Sequence, residues 1–207
     1  MTHFIPRYEF RLFGLEEIDS VIATLRAKGI AGKERHISEI YLMTAGNTIN
    51  NIKIRNKLLD IKTLVKHDDT LEQWNPQEVG QFPLSKEKIL SEIFPALGVE
   101  APLLDKDVYT LKEFMQELIL VDPDIIVALT EKERYAYSFN DCICEYANVR
   151  INGALLRTVA FESENPDLVK AAIRAIDIKD YHKNTNYPKA IKRVLGLEID
   201  YDINNFF

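Results

Sequence analysis

The stretch NIKIRNKLLDIKTLVK (Asn51–Lys66) alternates apolar residues with charged ones, and nearly all of the charged ones are cations. Ile52 and Ile54 share one face of a strand while Lys53 and Arg55 share the other. After Asn56-Lys57, a plausible two-residue turn, Leu59, Ile61 and Val65 lie opposite Asp60 and Lys62. An ordinary solvated face mixes signs. This one is sorted, and it sits in a chain of 207 residues whose net charge is −6. Such a balance excludes a surface that tracks nucleic acid throughout, so polyanion binding has to be local, in a cleft of opposite charge.

The same alternation recurs outward from this hairpin. IPRYEFRLF places Arg7, Glu9 and Arg11 on one face and Tyr8, Phe10 and Leu12 on the other. A helix follows, with Leu15, Ile18, Ile22 and Leu25 on one stripe and Gly29 just past its end. HISEIYLMT reads as a strand. DIIVALTEKERYAYSF sets Val127, Leu129, Tyr135 and Tyr137 opposite Thr130, Lys132 and Arg134. DCICEYANVRI places Glu145 beside Ile143 and Ala147, and Asn152-Gly153 is a strong hairpin signal before ALLRTVAFESE. There Val159 and Phe161 oppose Thr158, Ala160, Glu162 and Glu164. Asn165-Pro166 opens a helix, and NYPKAIKRVLG is a last short one, followed by an acidic tail. Residues from about 68 to 124 read as a helical insertion in a single domain spanning 1–207. Ser85 and Thr110 are its N-caps, and only Thr110, with Glu113 three residues on, completes a capping box.

Seven or eight antiparallel strands with segregated helices make an α+β fold in which the sheet closes into a β-barrel with helices packed outside. Closure brings Arg7, Arg11, Lys53, Arg55, Lys62, Lys132 and Arg134 into one interior. Seven uncompensated cations there repel one another unless an anion enters, and a linear polyphosphate fits that requirement. Glu9, Glu145 and Glu162 share the cationic faces, and a divalent cation would reconcile them with a phosphate ligand. The competing reading is an open sheet with a solvated charged face and weak ion pairs.

Taken in order, these segments resemble the CYTH superfamily, the triphosphate tunnel metalloenzymes. RYEFR stands in the place of the family's ExExK strand, with Glu9 matching its second Glu, Arg7 replacing the first and Arg11 the Lys. KIR (Lys53, Arg55) is similar to the RxR strand, DIK (Lys62) to the following lysine strand, and EKERYAY (Lys132, Arg134) to KxRxxY. AFESE resembles the closing ExE, with Ala160 in the first place and Glu162 in the second, and NYPKAI resembles the SYxxLL helix. The resemblance implies a tunnel that binds a triphosphate or polyphosphate. The cations would hold phosphate oxygens, Glu9, Glu145 and Glu162 would hold Mg2+ or Mn2+, and Glu145 and Glu162 would serve a metal-dependent phosphohydrolase. Because Arg7 and Ala160 stand where carboxylates are expected, the alternative is a non-catalytic module for a triphosphate, a nucleotide or an RNA 5′-triphosphate end.

Other signals are weaker. The four histidines are scattered, no Gly-rich phosphate loop is present, and Trp74 reads as packing. Lys189, Lys192 and Arg193 read as a solvated helix face. No apolar run approaches the length of a membrane span and the N-terminus lacks a signal-peptide pattern, so the expected location is the cytoplasm.

Overall fold

A computed structural model of the chain describes residues 5–14, 17–67, 70–178 and 183–197. Leu15, His3, His182 and the tail from 198 onward lie outside the described residues. Eight strands close into an antiparallel barrel: β1 (Arg7–Gly14), β2 (Ile30–Met43), β3 (Asn50–Arg55), β4 (Leu58–His67), β5 (Glu72–Gln81), β8 (Ile126–Phe139), β9 (Cys142–Ile151) and β10 (Ala154–Ser163). Their order around the barrel is β1-β10-β9-β8-β2-β3-β4-β5, with β5 returning to β1. Two short strands, β6 (Leu84–Ser85) and β7 (Val108–Tyr109), pair separately.

Local chemistry sets the hairpins. Asn56 and Lys57 take positive φ of 51° and 61°, and Asn152 and Gly153 take 45° and 91°, the left-handed pairs that two-residue turns need. Asn140 and Asp141 (49° and 58°) form a third such turn, between β8 and β9.

The expected helical insertion is corrected at its start, because residues 72–81 are a barrel strand. Pro76 and Gly80 hide β5 from pattern reading, since proline demotes a strand in a sequence. The structure tolerates Pro76 because β5 pairs with β1 only over Glu72–Trp74. Beyond that point one edge of β5 has no strand beside it among the described residues, and a missing N–H costs no ladder bond there.

Helices α2 (86–97) and α3 (111–119) lie over the outer face of the β2–β5 side. Ile89, Ile93, Phe94, Phe114 and Leu118 are buried there against Leu42, Ile52, Ile54, Leu59 and Ile61. The capping box at Thr110 forms as expected: its Oγ1 accepts from the Glu113 amide and the Glu113 carboxylate accepts from the Thr110 amide. Thr110→Ala is expected to cost about 1 kcal/mol in urea unfolding; an unchanged midpoint would show that the box contributes nothing. Helices α1 (Glu17–Lys28) and α4 (Pro166–Ala175) cover the opposite outer face through Ile18, Leu25 and Val169. Tyr135, Tyr137 and Tyr146 stack on that side, as expected for an outer cover. Leu129, read as part of a covered face, is instead exposed, as is Val65.

The last helix, α5 (Tyr187–Leu195), packs differently. Tyr187 and Ile191 join a core with Tyr41, Ala128, Ala147, Val149 and Ile151, which are inward residues of the barrel. Thus α5 plugs one end of the barrel rather than covering its outside. Lys192, read from the sequence as solvated, is buried and donates to the carbonyls of Ala45 and Asn47, both at 2.8 Å.

Candidate functional site: a charged well inside the barrel

The inward positions of each strand run from the α5 plug toward the other end. On β1 they are Phe13, Arg11, Glu9 and Arg7; on β8 they are Ala128, Thr130, Lys132, Arg134 and Ala136. Phe13 and Ala128 pack with α5, while Arg7 is half-exposed at the far end. The interior is therefore a well with an apolar floor and charged walls.

Two ion clusters fill the well. The first surrounds Glu39, which the sequence reading did not select. Its carboxylate lies 2.5 Å from Lys132 Nζ, 3.3 Å from Lys53 Nζ and 3.6 Å from Arg55 Nη1, and accepts a 3.2 Å bond from the Tyr41 hydroxyl. Burial pushes the Glu39 carboxyl up, but Lys132, Lys53 and Arg55 overcome it and hold it at about 2. Lys132 is pressed the other way. Burial, with help from Lys53 and Arg11, brings its ammonium down to about 7 despite the pull of Glu39. Its Nζ also sits 3.7 Å from the centroid of the Tyr187 ring, on the plug.

The second cluster surrounds Arg11, which is 4% exposed. Its Nε donates to Glu9 at 2.7 Å and its Nη1 to Thr158 Oγ1 at 3.3 Å, with Glu145 at 3.6 Å and Glu162 at 3.9 Å. Arg134 also bonds Glu145 through Nε (2.6 Å) and Nη2. Burial raises the Glu9 carboxyl, yet Arg11 and Lys62 bring it below its ordinary value. Glu162, partly buried directly across from Glu9, is raised by desolvation and by that neighbour. Burial works against the charge of Arg11, but Glu9, Tyr187, Glu145 and Glu162 raise its pKa and keep it a cation.

Of the residues selected from the sequence, Glu9, Arg11, Lys53, Lys62, Lys132, Arg134, Glu145 and Glu162 do line one central cavity. Arg55 reaches it only through Glu39, and Arg7 stands at the open end 3.9 Å from Glu162. The expectation of seven uncompensated cations is corrected, because Glu39, Glu9, Glu145 and Glu162 neutralise most of them. The central cavity is accordingly small, about 70 Å3. The metal assignment to Glu9, Glu145 and Glu162 does not fit this arrangement. The three carboxylates are gathered on a guanidinium, and among the described residues no group of three His, Cys, Asp or Glu side chains is placed to hold a metal ion.

Wider spaces continue from the well toward the open end. One of about 410 Å3 is bordered by Arg7, Lys62, Trp74, Glu9, Glu162 and Glu164, with acids outnumbering bases. Another of about 250 Å3 has, among the described residues, Lys33, Arg35 and Arg134 against Glu145 alone. Arg35 and Arg134 are direct cross-strand partners between β2 and β8. Sequence reading missed Lys33 and Arg35 because it began the strand at His36, and missed Glu39, which lies within HISEIYLMT, because it assigned no inward face to that strand. The period-two run Lys33, Arg35, Ile37, Glu39, Tyr41 was the signal that would have found them. It also missed Glu72 and Asn186. Asn186 caps α5 with its oxygen and donates through Nδ2 to both Glu72 oxygens at 3.0 Å, which locks the plug to β5.

A closed eight-strand antiparallel barrel with an interior of lysine, arginine and glutamate, helices outside and a helix at one end has the triphosphate-tunnel, CYTH-like fold. Among solved structures, the chain is similar to HpAC1 from Hippeastrum, described as having a dominant triphosphatase activity, at 13% identity and a TM-score of 0.51. That match covers 94% of this chain and 98% of the other. A conserved hypothetical protein from Pyrococcus furiosus matches at 15% identity and a TM-score of 0.47, over 88% and 98% of the two chains. No protein-family profile matches the sequence, and no curated protein does. Among the described residues no helix is long and apolar enough to cross a membrane.

Proposed function

We propose that the open end of the barrel binds a triphosphate or a longer linear polyphosphate, and that it binds this ligand without hydrolysing it. The observation that carries the reading is the pairing of Arg35 directly opposite Arg134, with Lys33 beside them and Glu145 as the sole carboxylate among the described residues that line the space. Like charges directly opposite across strands destabilise a sheet, so the arrangement calls for an anion between them. Arg134 is tied to Glu145, whereas Lys33 and Arg35 make no ion pair among the described residues. Their forks and ammonium groups suit phosphate oxygens. At about 250 Å3 this space is the roomier of the two, against about 70 Å3 for the central cavity, and suits a chain of phosphoryl groups better. The phosphate chain therefore rests above the neutralised clusters. The triphosphatase description of the Hippeastrum protein agrees with this ligand class.

Calorimetric titration with tripolyphosphate, ATP and a 5′-triphosphorylated RNA, in EDTA, tests the reading. Arg35→Ala is expected to weaken tripolyphosphate about tenfold, the scale of one charge-assisted contact. Unchanged affinity in that variant would remove the site. Release of phosphate with Mg2+ or Mn2+ would replace binding by hydrolysis.

A further inference from the structure

We propose that Arg11 is the permanent cation of the carboxylate cluster, its guanidinium holding the position that a divalent metal would take among Glu9, Glu145 and Glu162. It follows that the barrel binds its phosphate ligand without a metal; this consequence rests on the anion-binding reading above, whereas the role of Arg11 does not.

The register makes room for this arrangement. Arg11 on β1 lies opposite Ala160 on β10, and Ala160 lies opposite Glu145 on β9. With only a methyl group on the middle strand, the guanidinium and the Glu145 carboxylate meet across it at 3.6 Å. A carboxylate at position 160 would fill that gap. Thr158, two positions along β10, accepts from Arg11 Nη1 and itself donates to the carbonyl of Leu12 at 2.7 Å, so the nitrogen that faces Glu145 is also held by a hydroxyl whose own proton is committed. The Tyr187 ring lies 4.7 Å from Arg11 Cζ, which puts an aromatic face where a hydrated metal would need water.

Charge closes the case. The three carboxylates face Arg11 and Arg134, and Lys62 also acts on Glu9. A planar, delocalised guanidinium does not deprotonate in a protein, so this counter-charge cannot be shed to admit an ion. The cluster thus has neither the space nor the charge deficit that attracts a divalent cation.

Mn2+ binding followed by electron paramagnetic resonance on the full chain, with no phosphate present, tests the role of Arg11. Wild-type protein is expected to take up no Mn2+ saturably. Arg11→Ala, which uncovers the carboxylates, is expected to bind one ion at least about tenfold more tightly, a gain abolished by adding Glu145→Gln. Where Arg11→Ala does not fold, Arg11→Gln, neutral and of similar length, is measured in the same way. Saturable Mn2+ binding by the wild type that disappears in Glu145→Gln would overturn the proposal. So would a folded Arg11 variant with no gain. Tripolyphosphate binding in EDTA is read separately: its absence, with the Mn2+ pattern as expected, strikes the anion site and leaves the role of Arg11 standing.

Discussion

Glu39→Gln is expected to destabilise the ligand-free protein by about 3–5 kcal/mol, the scale for removing one partner from a buried ion pair. The reason is the geometry around one carboxylate. Lys132, Lys53 and Arg55 all lie within 3.6 Å of Glu39, and its side chain is only 2% exposed. A glutamine keeps the shape but removes the charge, leaving three cations to repel one another where water is scarce. Part of the deficit is expected to return with Lys132→Met in the same chain, because replacing both members of a buried pair costs less than orphaning one. An excess of tripolyphosphate is also expected to stabilise Glu39→Gln more than wild type, since the ligand supplies the missing negative charge. Urea midpoints with and without ligand give both numbers. An unchanged midpoint in the single variant would mean that the cluster is solvated and carries little energy.

How much of this was legible in the sequence differs from element to element. The alternation in NIKIRN and LLDIKT, with its Asn56-Lys57 turn, reads correctly because a period of two is a local property and survives closure of the barrel. The likeness of fold was likewise readable from the order of weak motifs. Strand β5 was not, because Pro76 and Gly80 carry the marks of a loop, and what makes them tolerable is the short pairing with β1, a non-local fact. The destination of α5 was hidden for a similar reason. An amphipathic helix announces that it has an apolar face, not whether that face meets the outside or the inside of a sheet. Most consequential was the sign of the interior. Counting cations on separate strands gives an attractive well, but Glu39 sits between two of them in space, and only the β2–β3 and β2–β8 registers show it. Arg11 marks the same boundary. As a type it reads as a phosphate ligand, and its position across from Ala160 turns it toward carboxylates.

Stability is expected to rise by about 2 kcal/mol between pH 7 and pH 9, and Lys132 is the cause. Its ammonium titrates near 7 in the fold, against an ordinary value of 10.5. A lysine lowered in this way penalises the folded state at and below pH 7, where both states are protonated. As pH rises past 7 the fold releases its proton first while the unfolded chain still holds one, so the penalty is relieved progressively toward 10.5. Other groups bound the window. Cys144 is pushed by burial to about 12, and Tyr41 and Tyr187 are raised above their ordinary value of 10, so the unfolded chain ionises these first and stability falls again above about pH 9. On the acid side Glu39, held at about 2, contributes stability that is present above 4.5 and lost as pH falls toward 2. Urea unfolding at pH 7, 8 and 9 measures the rise, and Lys132→Met is expected to flatten it. A flat profile in wild type, or the same slope in Lys132→Met, would place the titration elsewhere. Polyphosphate affinity is expected to move oppositely, tightening from pH 9 to pH 7 as Lys132 regains its proton behind the cationic mouth. The ligand and the empty fold therefore prefer opposite charge states of one lysine. This opposition is what a barrel that neutralises its own interior before a guest arrives should display.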